Sequence, residues 1–332
     1  MLRPMHPPEG RSIEPLQLEP GNTGGRKLFR NFCITGISMR TLPFFMGGFF
    51  MPFSDPAVNG LPASVFPNIR SKRPLIHAIT NAVTINDVVN MILASGAAAV
   101  CADNSKEVFE ITAISSGLLL NTGMPNDDKL EAMLLAGRKA NALGIPVVLD
   151  PVGAGASSYR RQFLARLLSE VHMTAIRANM SEAAALYGIA FSSKGVEDAG
   201  ITLAPPLLQD LAERYDTTLA ITGDTDYAVS RNELLTSQTG SPLQKQITGS
   251  GCMLSGLLAA SLAGNLEGEP AENPADHSES DPESGLSTVR IVHRTLEMYG
   301  QAAEDAEQEM KASGHIGTAT FRTYLIDRIS RL

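Results

Sequence analysis

Residues Thr248-Gly249-Ser250-Gly251-Cys252 run directly into the apolar stretch Met253-Leu254-Ser255-Gly256-Leu257-Leu258-Ala259-Ala260, the pattern of a glycine-rich turn that opens a helix. The first turn of a helix has backbone N–H groups without intrahelical partners and carries a partial positive charge. Such a turn therefore holds phosphoryl oxygens without help from a cationic side chain. Cys252 stands where that field is strongest, and a helix N-terminus favours the thiolate, so this cysteine reads as a polar or basic participant in chemistry. Taken alone, the same residues also read as a tight turn before a buried helix with a small core cysteine.

The elements that must position this turn are βαβ units, because from Pro74 onward short β-branched runs alternate with stretches of helical period. Helices are expected over 86–95, closed by Gly96, and after a Ser105 cap with Val108, Ile111 and Ile114 on one stripe. The clearest helix carries Leu130, Met133, Leu134, Gly137 and Asn141 and stops at Gly144. Further helices are expected over 158–170, from about Ser181, and over 287–311. Strands are expected over 97–101, 118–121, 145–150, 173–177 and 218–223, with an antiparallel hairpin between 226 and 238. Asp103, Asn121, Asp150, Arg177, Asn179 and Thr222 all fall where these apolar strands run out. That is the crevice in which open parallel sheets bind ligands. A solvated Arg177 at a strand end is the ordinary alternative for that residue.

The chain has 332 residues, 43% of them hydrophobic, enough for one large α/β domain or two smaller ones. Its formal charge of −8 is mostly local, because seven acids between Glu267 and Glu283 share a segment without Lys or Arg. The near balance elsewhere argues against a nucleic-acid footprint or a polybasic membrane contact. With Pro270, Pro274 and Pro282, this segment is expected to form an acidic surface loop over 266–286. Cys33, Cys101 and Cys252 are few, odd in number and widely separated, which fits neither a zinc site nor a disulfide framework and points to a reducing cytoplasm. The longest apolar runs are broken by Pro and Gly and are too short to span a bilayer, and the first 28 residues lack the apolar core of a signal peptide. Residues 1–70 read as a poorly ordered extension and 71–332 as the catalytic domain.

Residues from about 74 to 264 closely resemble hydroxyethylthiazole kinase, a thiamine-salvage member of the ribokinase-like superfamily. The motifs that carry the resemblance are His77-Ala78-Ile79-Thr80-Asn81, Leu120-Asn121-Thr122-Gly123, the run from Gly144 through Asp150 to Ala156, Ile176-Arg177-Ala178-Asn179 with Ser181-Glu182, Ile221-Thr222-Gly223, and the turn at 248–252. The resemblance implies a three-layer α/β/α fold around a central, mostly parallel sheet. It implies transfer of the γ-phosphoryl group of ATP to the primary hydroxyl of 4-methyl-5-(2-hydroxyethyl)thiazole. It further implies that Asp150 and Glu182 hold Mg2+ directly or through water, that Arg177 and Thr222 contact the nucleotide phosphates, and that Asn81, Cys101, Gly123 and Gly249 line the thiazole pocket. Gly249, Ser250, Gly251 and Cys252 become the catalytic turn, with Cys252 positioning the acceptor hydroxyl or taking its proton late. Glu182 is also readable as a first-turn acid that complements its helix dipole. Family members are typically homotrimers, which implies a trimer here. Cys101 departs from the family's usual Met, Ala178 from Gly, Ser250 from Thr and Ala82 from an aromatic residue. The alternatives are another ribokinase-like kinase, of hydroxymethylpyrimidine or pyridoxal type, and a non-catalytic sensor of thiazole or nucleotide.

Overall fold

The computed structural model describes residues 64–189, 203–266 and 287–332. The acidic segment from 267 onward, and the N-terminal extension up to residue 63, lie outside the described residues. In chain order the helices and strands are α1 (Phe66–Lys72), β1 (Leu75–Ile79), α2 (Ile85–Ala94), β2 (Ala98–Val100), α3 (Val108–Ala113), β3 (Gly117–Asn121), α4 (Asp127–Leu143), β4 (Val147–Asp150), α5 (Ser158–Glu170), β5 (Ala175–Asn179), α6 (Met180–Tyr187), α7 (Pro205–Arg214), β6 (Thr218–Thr222), β7 (Asp226–Val229), β8 (Leu234–Ser237), α8 (Ser250–Asn265), α9 (Thr288–Ser313) and α10 (Thr318–Arg331). A 3₁₀ turn at Pro242–Gln246 precedes α8.

The eight strands form one sheet in the order β2-β1-β3-β4-β5-β6-β7-β8. Neighbours from β2 through β6 pair in parallel, and β7 and β8 add an antiparallel edge. Alternation along the buried strands splits the core into two layers. Ala78, Leu119, Val148, Ala175 and Ala220 face α1, α2, α8, α9 and α10, while Leu118, Leu120, Leu149, Ile176 and Leu219 face α4, α5, α6 and α7. The first face is built largely of small residues, which lets α8 approach the sheet closely. Its side chains are apolar around the whole circumference and buried along nearly its entire length, as a central core helix requires. The expected three-layer α/β/α fold is therefore the observed one.

Local chemistry explains most element boundaries. Asn126 caps α4 by accepting from the Lys129 amide, Ser157 caps α5 by accepting from the Arg160 amide, and α4 stops at Gly144. Four sequence expectations shift. Ser105 does not cap α3; Asn104 instead accepts from the Lys106 amide and folds residues 104–107 into a turn, so the helix starts at Val108. β5 runs over 175–179, not 173–177, because its pairing with Thr218 to Thr222 of β6 sets its span. α1 crosses the boundary placed at residue 70: Val65, Phe66 and Ile69 are fully buried against α8 and its neighbours, so the packed body begins by Ser64. α7, which opens on Pro205-Pro206, had no counterpart in the sequence reading.

Candidate active site

β3 and β4 end side by side on Asn121 and Asp150, which are register partners, and β5 carries Arg177 on the face turned toward α8. The N-terminus of α8 comes down on this line. Asp150 is fully buried. Its Oδ2 accepts from Asn121 Nδ2 at 2.7 Å and from Ser255 Oγ at 2.9 Å, while its Oδ1 lies 3.7 Å from Arg177 Nη1 and has no hydrogen-bond partner. Asn121 is the hub of the cluster. Its Nδ2 also points at Cys252 Sγ, 3.2 Å away, and its Oδ1 accepts from Asn81 Nδ2 and from the Gly123 amide, both at 2.9 Å. Asn81 in turn accepts from the amides of Val83 and Thr84, which fixes the turn after β1.

Two glycines make the glycine turn possible. Gly249 caps α8 in the left-handed region at φ 83°, and a Cβ there would stand 2.6 Å from Thr84 Cγ2. A Cβ on Gly251 would fall 2.1 Å from Arg177 Nη1, so only glycine lets the guanidinium lie against the first turn of α8. From there Arg177 Nη2 donates to Thr222 Oγ1 at 2.7 Å. The first helical bond runs from the Met253 amide to Gly249 O, so the amides of Ser250, Gly251 and Cys252 precede it and have no partner within the helix. Three free donors, a guanidinium and a threonine hydroxyl thus converge above two strand-end polar residues.

The electrostatics follow from burial. Desolvation raises the Asp150 carboxyl, against the opposing pull of the Arg177 charge and of hydrogen bonds from Ser255, Cys252 and Asn121. Burial works against the Arg177 charge, but Asp150 and Glu182 outweigh it and hold the guanidinium charged. Burial, reinforced by the Asp150 charge, pushes the Cys252 thiol up to about 12. The thiolate expected from the helix N-terminus is thus corrected: loss of solvation and a neighbouring carboxylate outweigh the dipole, and Cys252 is a thiol at neutral pH.

Glu182 serves its helix and the site together. Asn179 and Glu182 form a reciprocal capping box at the start of α6, and Glu182 Oε1 also accepts from the Gly153 amide at 2.9 Å. It therefore ties the loop after β4 to the end of β5. Burial pushes its carboxyl up to about 7, with Arg177 pulling down and Asp150 pushing further up. Among the described residues no group of three or more His, Cys, Asp or Glu side chains is arranged to hold a metal ion. A divalent cation is therefore compatible with this carboxylate pair only if phosphates and water complete its oxygen shell. The unpartnered Asp150 Oδ1 fits that demand.

Of the sequence-derived site residues, Asn81, Gly123, Asp150, Arg177, Thr222 and the turn from Gly249 to Cys252 form one connected cluster, and Glu182 joins it through the strand-end loops and its charge. Cys101 stands apart, exposed after the edge strand β2 and outside these hydrogen bonds. Its loop is held from below by buried His77, whose Nε2 donates to Ala102 O at 2.8 Å. Beyond it opens a polar cleft of about 430 Å³ lined by Asp103, Lys106, Asn126 and Lys129. Sequence reasoning overlooked Ser255, which lies one helical turn beyond Cys252 on the same face, and Arg160. The Arg160 guanidinium donates to the carbonyls of Thr122, Val152 and Gly123, locking the loops after β3 and β4 together. Nothing local to Arg160 in the sequence signals that reach.

This arrangement matches known proteins over most of the chain. The model of the hydroxyethylthiazole kinase family matches residues 66–277. A hydroxyethylthiazole kinase from Alkaliphilus metalliredigens is 44% identical over 273 residues, covering 81% of this chain and 92% of the relative. Another from Methanosphaerula palustris is 40% identical over 271 residues, covering 81% and 93%. Among solved structures, hydroxyethylthiazole kinase from Pyrococcus horikoshii superposes with a TM-score of 0.66 at 30% identity, covering 81% of this chain and 92% of that one. A ribokinase-like superfamily protein from Enterococcus faecalis shares the fold, with a TM-score of 0.53 at 9% identity over 83% of this chain and 91% of that one. On the family match and these identities, the chain belongs to the hydroxyethylthiazole kinase family.

Proposed function

We propose that this protein transfers the γ-phosphoryl group of ATP to the primary hydroxyl of 4-methyl-5-(2-hydroxyethyl)thiazole, giving the thiazole phosphate used to build thiamine phosphate. The observation that carries the reading is the convergence of the α8 N-terminus on Asp150 and Arg177 in a chain of this family. Phosphoryl transfer asks little covalent chemistry of a protein; it asks for positioning, charge neutralisation and exclusion of water. The amides of Ser250, Gly251 and Cys252 meet the charge on the transferred group. Arg177 and Thr222, already joined by a hydrogen bond, take nucleotide phosphate oxygens.

Asp150 and Glu182 are the residues that would hold Mg2+, Asp150 offering its unpartnered Oδ1 and Glu182 its carboxylate, directly or through water. When bound, the ion neutralises and orients the phosphates. Asn81, Gly123 and Gly249 border the acceptor site, with Cys101 at its outer edge. As a thiol, Cys252 positions the acceptor hydroxyl and does not deprotonate it. A largely dissociative transition state tolerates that, because the hydroxyl keeps its proton until late and then passes it to an oxygen of the transferred phosphoryl group as ADP leaves. We further propose a homotrimer in the cytoplasm. Val83, Phe109 and Met124, on the loops and helix after β1, β2 and β3, are exposed apolar side chains that further copies would cover. Cys101 and Cys252 are free, and among the described residues no helix is long and apolar enough to cross a membrane.

The test is ATP consumption by the purified protein on addition of the thiazole alcohol, hydroxymethylpyrimidine or pyridoxal in turn. Turnover with the thiazole alcohol far above the others is the expected result. A preference for either of the others would reassign the substrate, and consumption with none would leave only a binding protein.

A further inference from the structure

The glycine turn is held from the side by a helix that no motif pointed to. Residues 239–241, upstream of the turn, run along α9. A Cβ on Gly300 of α9 would lie 2.2 Å from Thr239 Oγ1 and 2.7 Å from Thr239 O, so the two backbones touch. Beside that contact Thr239 Oγ1 donates to Glu297 O, the Gly240 amide donates to the Glu304 carboxylate at 2.9 Å, and Ser241 Oγ donates to Glu307. Back at the level of Gly300, buried Tyr299 donates its hydroxyl to Ser250 O at 2.8 Å, and the Tyr299 hydroxyl oxygen also lies 3.2 Å from Ser250 Oγ.

We propose that Tyr299 is a positioning residue for phosphoryl transfer, acting through the peptide that joins Ser250 to Gly251. The inference rests on the phosphoryl-transfer reading and goes one step deeper into it. That peptide is planar and trans, so its C=O and N–H point in opposite directions. A bond that fixes Ser250 O therefore fixes the direction of the Gly251 N–H, the central donor of the turn. Donation into the carbonyl also polarises the amide and strengthens its N–H as a donor. Burial pushes the phenol up to about 12, so the hydroxyl remains a donor across the working pH range. Ser250 Oγ, drawn toward Tyr299, serves the same contact, which leaves the Ser250 amide as that residue's share of the anion site.

Tyr299→Phe removes one oxygen and keeps the ring in its pocket. Tyr299→Phe, Ser250→Ala and the double variant are compared with wild type for kcat, for KM of the thiazole alcohol and for the unfolding midpoint. Because the contact acts where charge develops, Tyr299→Phe is expected to lower kcat about tenfold with KM held within about twofold. The double variant should be no slower than Tyr299→Phe, since both changes act through one contact. An unchanged kcat in Tyr299→Phe, or a raised KM at constant kcat, would overturn the proposal. Should Tyr299→Phe not fold, Ser250→Ala alone decides: a kcat loss at constant KM supports the assignment and wild-type kcat rejects it. A wild-type protein with no thiazole-dependent ATP consumption would instead defeat the phosphoryl-transfer reading itself.

Discussion

Beneath the N-terminus of α8, Asp150 is fully buried, Arg177 is held by two partners, and Asn121 cross-links Asp150, Cys252 and Asn81. A short way along the same crevice, beyond the ends of β1, β2 and β3, Val83 is 66% exposed, Met124 48% exposed, and Cys101 faces solvent. One end has polar groups whose positions are over-determined by hydrogen bonds; the other has apolar groups with little covering them. The contrast separates two requirements. Stabilising charge on a phosphoryl group needs fixed donors in a water-poor site, which a single chain can preorganise. Recognising a small, mostly apolar ring needs a tight pocket, and the open end supplies only part of its wall.

The contrast breaks most sharply at Asp150 and Gly251. Asp150→Asn should lower kcat by about 10²–10³, comparable with removing one preorganised group from an oxyanion hole. Gly251→Ala should cost a similar factor without replacing any functional side chain, because its methyl occupies the position of Arg177 Nη1 and displaces the guanidinium. Val83→Ala, at the open end, should leave kcat within about twofold. Steady-state kinetics on the three variants checks the ranking, and a Gly251→Ala enzyme with wild-type kcat would remove Arg177 from its assigned place. Cys252→Ala comes next. A protonated thiol that only orients the acceptor is worth about tenfold in kcat, with Cys252→Ser retaining most of the rate. A loss of about 10⁴ in both variants would restore the base role that burial argues against.

The buried end also carries a pH signature of its own. Folding lifts the Glu182 carboxyl from its ordinary 4.5 to about 7, so the folded state binds that proton more tightly than the unfolded chain does. The stabilisation is present below 4.5 and is lost as pH rises through 7. Asp226, lifted by burial to about 6, acts in the same direction. The nucleotide-free protein should therefore melt at a lower temperature at pH 8 than at pH 5.5. Glu182→Gln should flatten the slope without abolishing it, since Asp226 remains. Equal slopes in the two proteins, read by thermal unfolding, would show that Glu182 is not the group responsible.

What was legible in the sequence follows the same division. Asp150, Arg177 and Thr222 stand out because an apolar run broken by a polar group is a local pattern, although Arg177 lies in the middle of β5 and not at its end, and the glycine turn stands out for the same reason. Helices α4 and α5 were readable from their periods, and Asn126 and Ser157 supply their caps. Ser255, Arg160 and Tyr299 were not, because each acts on the site through a partner at least 37 residues away in the chain, and only Arg160 also has a near one, Val152. Ser255 is hidden further by lying inside an apolar helix. The thiolate reading of Cys252 failed for a related reason: a dipole is visible in a motif, whereas the burial that overrides it belongs to the whole fold.

The smallest effect, and the one that sharpens the contrast most, is expected at Cys101. This residue is exposed, and it shares no hydrogen bond with the buried cluster. Cys101→Met adds apolar contact at the rim without reaching any group that meets phosphate. Added contact with a ring in the ground state and the transition state alike lowers KM and leaves kcat unchanged. Partial exposure limits the gain, so KM for the thiazole alcohol should fall by about two- to threefold, well below the discrimination a fully enclosed methylene provides. Steady-state kinetics with saturating ATP separates the two constants. A change in kcat larger than the change in KM would mean that the rim is coupled to the buried donors, and that the two ends of the crevice act as one.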